Sequence, residues 1–599
     1  MPAFFSKKWP PFLLLAVATA LVWGQTVKFN FVWDDNYFIR DLASVRSLKH
    51  VPEMFYQLGA QATRPEDFEV FRPIRTALYA VLCWLGGKAE PQPWIYHLAN
   101  ILGHGATAMM LLVTARLLLR RLVKNLTEIQ AQVWALIVAL AFAVHPVVSE
   151  VVCWAKSLDD ILAAFFTLAA LREVLQPPGQ AAARWRAILF FALAVYSKES
   201  AVPFVFVLAA IFLKIDGLPL KRAMQRAWPF FLVAAAYVVH RHLVIGRTSQ
   251  TAPISGSYGQ TLVDMLPVAL TYFRLLFGVP PFCIDYSYLP GGAHFFSAPV
   301  LGGLFLLVAL AGGAVLAWRS ERWRLVGFGL VWTGCFLLPV SNLVPMMQYL
   351  AERFLYLPLI GWLLAVAGLL AAFRQRPAVP IFCVGVVLAW GLTAWNRSWI
   401  WRDEITLFIR TSQENPKCAR VESNAVAAVF HLPQILRAFK LENGNVAITD
   451  RIDPGSVDKV VATFNEALKY FPDNPHLLAA LGMTLATTGQ PGPAVPLFKK
   501  AAALDPENME TWLNLARAAL ADKEFEPARA AVVKVLARNP DNHFALAIQF
   551  ECQWHAGGFP AALATARHWN QVAPDANSAA ALEKAGKKQA QAATPPAQP

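Results

Sequence analysis

Two adjacent carboxylates, Asp34 and Asp35, sit in FVWDDNYFIRD (31–41), a few residues beyond an apolar run that begins at Pro11. Paired acids can supply a base, because repulsion between neighbours raises one pKa. The plainer alternative is an Asx-type turn that caps a helix. Cations recur in comparable settings: Arg353 in QYLAERFLYLP, Lys198 in YSKES, Lys156 in CWAKSLDD and Arg72 in FRP, with Arg241 and Arg247 of lower rank. Each read alone is equally a side chain snorkelling toward lipid head groups, or, for Arg72, an ordinary surface charge. His97, Asn100 and His104 recur at i, i+3 and i+7, a polar stripe inside an apolar helix that also reads as a buried hydrogen-bonded contact. Tyr349, Arg353 and Tyr356 lie at i, i+4 and i+7 and share one face if a helix begins by Tyr349, with Glu352 adjacent. His145, Glu150, Asp159 and Asp160 could be read as a hard-metal site, but their spacing does not specify one, so metal dependence is left open and no cofactor is firmly implied.

The elements that must carry these groups are membrane helices. Of 599 residues 56% are hydrophobic and 15% charged, and the apolar residues form long runs. The net charge of +14 comes from short basic clusters between those runs, the mark of cytoplasmic loops and not of nucleic-acid binding. Seven cysteines without a CxxC pair indicate neither a zinc site nor a disulfide framework. Lys7 and Lys8 ahead of an apolar core resemble a secretory signal, but the many runs that follow favour a retained anchor.

About 20 apolar residues cross about 30 Å of hydrocarbon. Candidate spans are 11–28, 94–119, 131–149, 155–172, 228–243, 298–317, 325–341, 354–372 and 378–396, with 184–214 as a hairpin turning at 196–200. Eleven spans with a cytoplasmic N-terminus put the basic clusters on one side, provided that 74–87 and 261–279 are interfacial or re-entrant. WDD, HPVVSE (145–150), SLDD (157–160), YSKES (196–200), CIDYSY (283–288) and QYLAER (348–353) then meet on the opposite, non-cytoplasmic face.

Beyond the last run, Pro472, Pro506, Pro540 and Pro574 recur with a period of 34, within FPDN, LDPEN, NPDN and APDAN. That period, with small and large apolar residues alternating, is the signature of tetratricopeptide repeats. The expected organisation is all-α: a transmembrane bundle at 1–397, a connecting segment at 398–455 with a degraded repeat opening at Asn415-Pro416 and an insertion over 434–455, a repeat solenoid at 456–584, and a disordered tail at 585–599. Charges balance in the solenoid, so a polyanion is not an obvious partner, whereas its concave surface suits a peptide or protein.

The order of motifs, FVWDD, FRPIRTALYA (71–80), WIYHLANILGHG (94–105), HPVVSEVVCWAKSLDD, YSKESAVPF, PVSNLVPMMQYLAERFLYLPLIGW (339–362), NRSWIWRDEITLF and then the repeats, resembles the TMTC family, the transmembrane and tetratricopeptide-repeat protein O-mannosyltransferases of the GT-C class. The resemblance implies inverting transfer of a sugar, mannose in eukaryotic relatives, from a polyprenyl-phosphate carrier to a Ser or Thr hydroxyl of a protein on the non-cytoplasmic side. That side is the periplasm for a bacterial inner-membrane protein or the lumen of the endoplasmic reticulum for a eukaryotic one. It implies that Asp34 or Asp35 is the base. The leaving group of such a donor is an anionic lipid phosphate that needs cations, so Arg353 first, then Lys198, Lys156 and Arg72, with His97, His104, Glu150 and Tyr356, are the candidates to bind donor phosphate or sugar. Where the family often carries Gly-Arg-x-Asp after HPxxxE, this chain has Ser157-Leu158-Asp159-Asp160, and Lys156 could supply the missing charge. Two other readings stand beside this one: a lipid-linked glycan ligase or polymerase, and a membrane-anchored repeat scaffold without catalysis.

Overall fold

The computed structural model describes residues 9–63, 70–87, 89–177, 180–246, 253–286, 292–346, 348–376, 378–414, 419–430, 432–442, 445–448 and 454–593. The chain divides into two compact units between Cys418 and Ala419. The first comprises α1 (Pro10–Trp23), α2 (Pro73–Leu85), α3 (Pro93–Leu122), α4 (Glu128–Ala143), α5 (Ser149–Cys153), α6 (Leu158–Val174), α7 (Ala181–Ser197), α8 (Phe204–Ala210), α9 (Leu220–Ile245), α10 (Tyr258–Leu276), α11 (Ala298–Arg319), α12 (Arg324–Leu337), α13 (Tyr356–Ala371), α14 (Ala378–Ser398) and α15 (Glu404–Glu414). Prolines open α1, α2 and α3, where a helix has no N–H bond to lose, and Thr127 with Gln130 forms a capping box on α4. The unit extends past the expected limit at 397: Asn30 N–H donates to Arg402 O at 3.0 Å and Trp401 is fully buried, so the chain after α14 folds back onto the bundle.

Six helical segments are long and apolar enough to cross a membrane, Pro10–Lys28, Pro93–Leu122, Leu220–Ile245, Ala298–Arg319, Glu352–Ala371 and Ala378–Trp401, among the described residues. A seventh follows if Glu128–Ala143 and Pro146–Cys153, bent by 47°, count as one broken span. The expected eleven are therefore not all met by length. Expected spans 155–172, 184–214 and 325–341 fall on α6, α7 with α8, and α12, of which α6 and α7 have 17 residues and α12 has 14. Seventeen residues rise only about 25 Å. The chain is broken where its polar motifs lie, at His145-Pro146, at Ala155–Ser157 and between Lys198 and Pro203, and such backbone is tolerated at membrane depth when protein covers it. The stretches expected to be interfacial, 74–87 and 261–279, are the helices α2 and α10.

Burial sorts the bundle into an inside and an outside. The apolar stretches of α3 and of the segment that continues into α13 are 56% and 78% buried, while those of α9, α11 and α14 are 11–17% buried. The outer helices turn Leu243, Phe305, Leu316, Ile381 and Leu392 outward, an arrangement that favours lipid over water as their solvent. Inside, α12 and α13 touch backbone to backbone: a Cβ on Gly361 would stand 2.5 Å from Gly329 O, and one on Gly329 2.3 Å from Gly361 O. Small residues permit that approach where the solvent offers no hydrophobic drive between helices.

The second unit opens with α16 (Ala419–Phe430), α17 (Pro433–Leu436) and an antiparallel hairpin of β1 (Phe439–Glu442) and β2 (Asn445–Ile448), in which Leu441 faces Val446. The hairpin falls within the expected insertion, and Asn415-Pro416 lies outside the described residues. Helix pairs follow: α18 (Val457–Tyr470), α19 (Pro475–Thr487), α20 (Pro491–Leu504), α21 (Met509–Ala521), α22 (Phe525–Arg538), α23 (His543–His555), α24 (Phe559–Val572) and α25 (Ala576–Ala593). The period of 34 has two local causes. Asn474, Asn508 and Asn542 cap α19, α21 and α23 through their side-chain oxygens, and Gly489, Lys523 and Gly557 take positive φ at the turns within pairs. Helix α25 continues well past 585, where composition predicted loss of order, because Ala581 and Ala585 pack against Phe550, Leu563 and Trp569. A shallow hollow lies between β2 and the helices α19 and α21, lined by Val446, His476, Met483, Glu510 and Asn514.

Candidate active site

The turn that carries the paired acids is held by the chain's own contacts. Asp35 is fully buried and accepts from Val32 N–H at 3.0 Å and from Lys156 N–H at 2.7 Å, so it ties the turn to the segment between α5 and α6. Burial pushes its carboxyl up to about 8, against the pull of those two N–H groups. Trp33, just before the acids, has φ of 54°, a left-handed conformation that costs a bulky residue energy. It is held by a parallel stack on Trp154, with centroids 5.0 Å apart, and by the edge of Phe408 of α15. Asp34 is thereby turned outward, its side chain 18% exposed, and it accepts from Lys156 Nζ at 2.7 Å.

Around this turn the separated motifs meet. The Trp154 ring carries two cations, Lys156 Nζ at 4.6 Å and the Arg353 guanidinium at 5.5 Å from its centroid. Arg353 is anchored by Glu150, which takes its guanidinium with one oxygen and its backbone N–H at 2.8 Å with the other, while Gln348 Oε1 accepts a further N–H at 2.6 Å. Arg72 bridges Asp159 and Glu199, the latter at 2.6 Å, and Lys198 pairs with Asp160. Arg72's charge holds Glu199 down to about 2 although burial opposes it. Charges of opposite sign thus satisfy one another at depth, and the side chains of Asp34, Lys156, Arg353 and Arg72 keep 14–18% exposure where a ligand could reach them.

Other expected members go elsewhere. His97, Asn100 and His104 do face the interior, but they bind helices together: His97 Nε2 lies 3.3 Å from Asn30 O, Asn100 donates to Trp154 O at 2.8 Å, and His104 lies between Tyr356 OH at 2.7 Å and Ala143 O at 3.0 Å. Tyr356 is taken up in that bond. Tyr349, Arg353 and Tyr356 do not share a helix face, since Ala351 is extended, Glu352–Leu355 is a 3₁₀ turn and α13 starts only at Tyr356. Tyr349 instead bonds Ser255 and Asp264. The four residues offered for a hard cation are drawn apart by other partners: Glu150 by Arg353, Asp159 and Asp160 by Arg72 and Lys198, and His145 by Val147 N–H. No group of three or more His, Cys, Asp or Glu that could hold a metal forms among the described residues. Arg241 lies on α9, and Arg247 lies outside the described residues.

Arg397 and Arg75 escaped selection from sequence. Arg397 Nη2 donates to both carboxylate oxygens of Glu352, each at 2.9 Å, and its Nε donates to Ser149 Oγ at 2.8 Å. Glu352 also accepts from Tyr286 OH and Cys283 N–H. The neighbours Ser149-Glu150 and Glu352-Arg353 are therefore clasped twice, which fixes Arg353 over Trp154. Arg75, wholly buried, lies 3.8 Å from Asp159 and stacks on Phe38 and Tyr79. The signal was present in both cases: an arginine inside an apolar helix needs a buried partner.

Fold and site together define a multi-span membrane protein with a buried charge cluster and a tetratricopeptide solenoid. A tetratricopeptide-repeat family model matches residues 485–549. Protein O-mannosyl-transferase TMTC3 of Mus musculus is 23% identical over 577 residues, 88% of this chain and 60% of that protein. TMTC4 of Mus musculus is 23% identical over 480 residues (71% and 64%), and Tmtc3 of Drosophila melanogaster is 23% identical over 541 (77% and 57%). The chain is TMTC-like, and it spans about 60% of the length of these curated relatives. Among solved structures YrrB, a TPR protein with an unusual peptide-binding site, aligns over 36% of this chain and 96% of its own at 15% identity, with a TM-score of 0.23.

Proposed function

We propose that this chain is a membrane glycosyltransferase that moves a sugar, mannose by analogy with its relatives, from a polyprenyl-phosphate carrier to a Ser or Thr hydroxyl of a protein on the non-cytoplasmic side. Asp34 is the base and Asp35 positions it. The observation that carries this reading is the outward Asp34 carboxylate beside two cations that lie over the ring of Trp154. In the reaction Asp34 takes the hydroxyl proton, the hydroxyl oxygen bonds to the anomeric carbon, and the bond from that carbon to the phosphate oxygen breaks, its electron pair leaving with the phosphate. Configuration inverts because attack and departure lie on opposite faces. Arg353 and Lys156 stabilise the charge that gathers on the departing phosphate, in a setting already organised by Glu150 and Trp154. The tetratricopeptide solenoid is the surface that presents the protein acceptor.

Purified full-length chain in lipid discs, given polyprenyl-phosphate mannose and a Ser/Thr peptide, is expected to glycosylate the peptide, read by mass spectrometry. Asp34→Asn is expected to lower the rate at least about 100-fold, the usual range for removing a general base. Transfer only to saccharide acceptors indicates the glycan ligase or polymerase, and partner binding with no transfer from any polyprenyl sugar indicates the scaffold. Full activity in Asp34→Asn removes the base assignment.

A further inference from the structure

The cations of the cluster are not equivalent. Arg353, Lys198, Arg72 and Arg397 each hold a buried carboxylate, Glu150, Asp160, Asp159 and Glu352, whose side chains are at most 7% exposed. Lys156 is different: its ion pair among the described residues is with Asp34, the acid turned outward. Its main chain cannot follow that side chain, because Asp35 Oδ1 holds its N–H at 2.7 Å and Tyr79 OH donates to its carbonyl at 2.7 Å. The ammonium rests on the Phe38 and Trp154 rings, at 4.8 and 4.6 Å, and Arg353 lies over the same Trp154 ring. Aromatic faces attract a cation without fixing its direction, so the ammonium can pivot across Trp154 toward Arg353 while its backbone stays anchored.

We infer that Lys156 is a donor-operated switch: with no donor bound it neutralises Asp34, and a phosphate seated beside Arg353 draws the ammonium away and gives the carboxylate its basicity. The inference rests on the glycosyl-transfer reading of this site and adds an order to it, donor before acceptor. An ammonium at hydrogen-bond distance stabilises the carboxylate and makes it a weaker base, whereas a donor phosphate held by Arg353 gives the same ammonium a second anionic partner. No covalent bond changes in this step. One ion pair is exchanged for another.

Asp34 and the donor phosphate compete for one ammonium, which a binding cycle can read without catalysis. Polyprenyl monophosphate is titrated into wild type, Asp34→Asn, Lys156→Met and the double variant, each purified at full length, with affinity taken from the thermal shift. Asp34→Asn is expected to bind about tenfold tighter than wild type, Lys156→Met about tenfold weaker, and the double variant like Lys156→Met. Lys156→Arg is expected to restore binding. If Asp34→Asn tightens binding equally in the Lys156→Met background, its effect is bulk charge and the switch is overturned, as it is if Asp34→Asn leaves affinity unchanged. Inorganic phosphate and phosphatidylglycerol run beside it. The same ordering with inorganic phosphate, at weaker affinity, supports recognition of the phosphate itself, and equal tightening toward phosphatidylglycerol overturns recognition of the carrier. Failure of every variant, wild type included, to bind polyprenyl monophosphate overturns the proposed function itself, a result distinct from the loss of the switch alone.

Discussion

At the scale of single residues, the acids Asp34 and Asp35 look interchangeable in sequence and are not so in space. One faces the site and the other is a buried strut, because Val32 and Lys156 both aim backbone N–H groups at Asp35. Its burial predicts a pH response whose sign follows from linkage. A carboxyl raised to about 8 in the folded chain keeps its proton across the range from about 4 to 8, in which an unfolded chain has lost it. The stability contributed by the neutral form is therefore fully present below about pH 4 and is lost as pH rises through about 8. Thermal midpoints of the purified protein should fall between pH 5.5 and 8 and then level. Asp35→Asn lowers the midpoint at every pH, since its amide turns an N–H toward one of those donors, but it should flatten the slope. An unchanged slope in the variant excludes Asp35 as the titrating group.

Elements impose their own tests. The crossing of α12 and α13 leaves no room for a methyl group, as the 2.5 Å approach to a carbonyl oxygen at Gly361 indicates. Gly361→Ala should destabilise the bundle by about 2 kcal/mol or more, measured as a lower melting temperature in detergent. Gly385→Ala on α14, where a Cβ meets nothing within 4 Å, is the control and should be neutral. In the solenoid, Lys523 occupies with φ of 63° the turn position that Gly489 and Gly557 hold in the neighbouring repeats. Relieving a left-handed side-chain residue gains about 1 kcal/mol, so Lys523→Gly should raise the midpoint of the repeat unit by a few degrees. A decrease would show that the lysine side chain contributes more than its backbone costs.

For the molecule as a whole, the two units ask for different solvents. The first turns large apolar side chains outward on α9, α11 and α14, and the second closes its own core with α25. A solenoid needs such a cap, because its last repeat otherwise exposes the face meant for a neighbour. Ending the chain at residue 575 should expose Phe550, Leu563 and Trp569, lower the melting temperature of the repeat unit and increase binding of a hydrophobic dye. A truncated chain that melts like the full one shows that α25 is dispensable.

The sequence by itself settled what periodicity and solvent preference can settle. Apolar runs marked the membrane helices, and prolines every 34 residues marked the repeats, because both signals are local and survive without neighbours. The candidate site was legible in part: Asp34, Lys156, Arg353, Arg72 and Lys198 do come together, since a charge inside an apolar chain must find company. Pairing was not legible. Which carboxylate each cation takes, that Asp35 bonds backbone while Asp34 faces outward, that His104 and Tyr356 bond each other instead of a ligand, and that Arg397 completes the clasp on Glu352 were decided only when helices far apart in the chain packed together. Those choices depend on angstrom-scale distances between residues as many as 252 positions apart, and no local pattern encodes them.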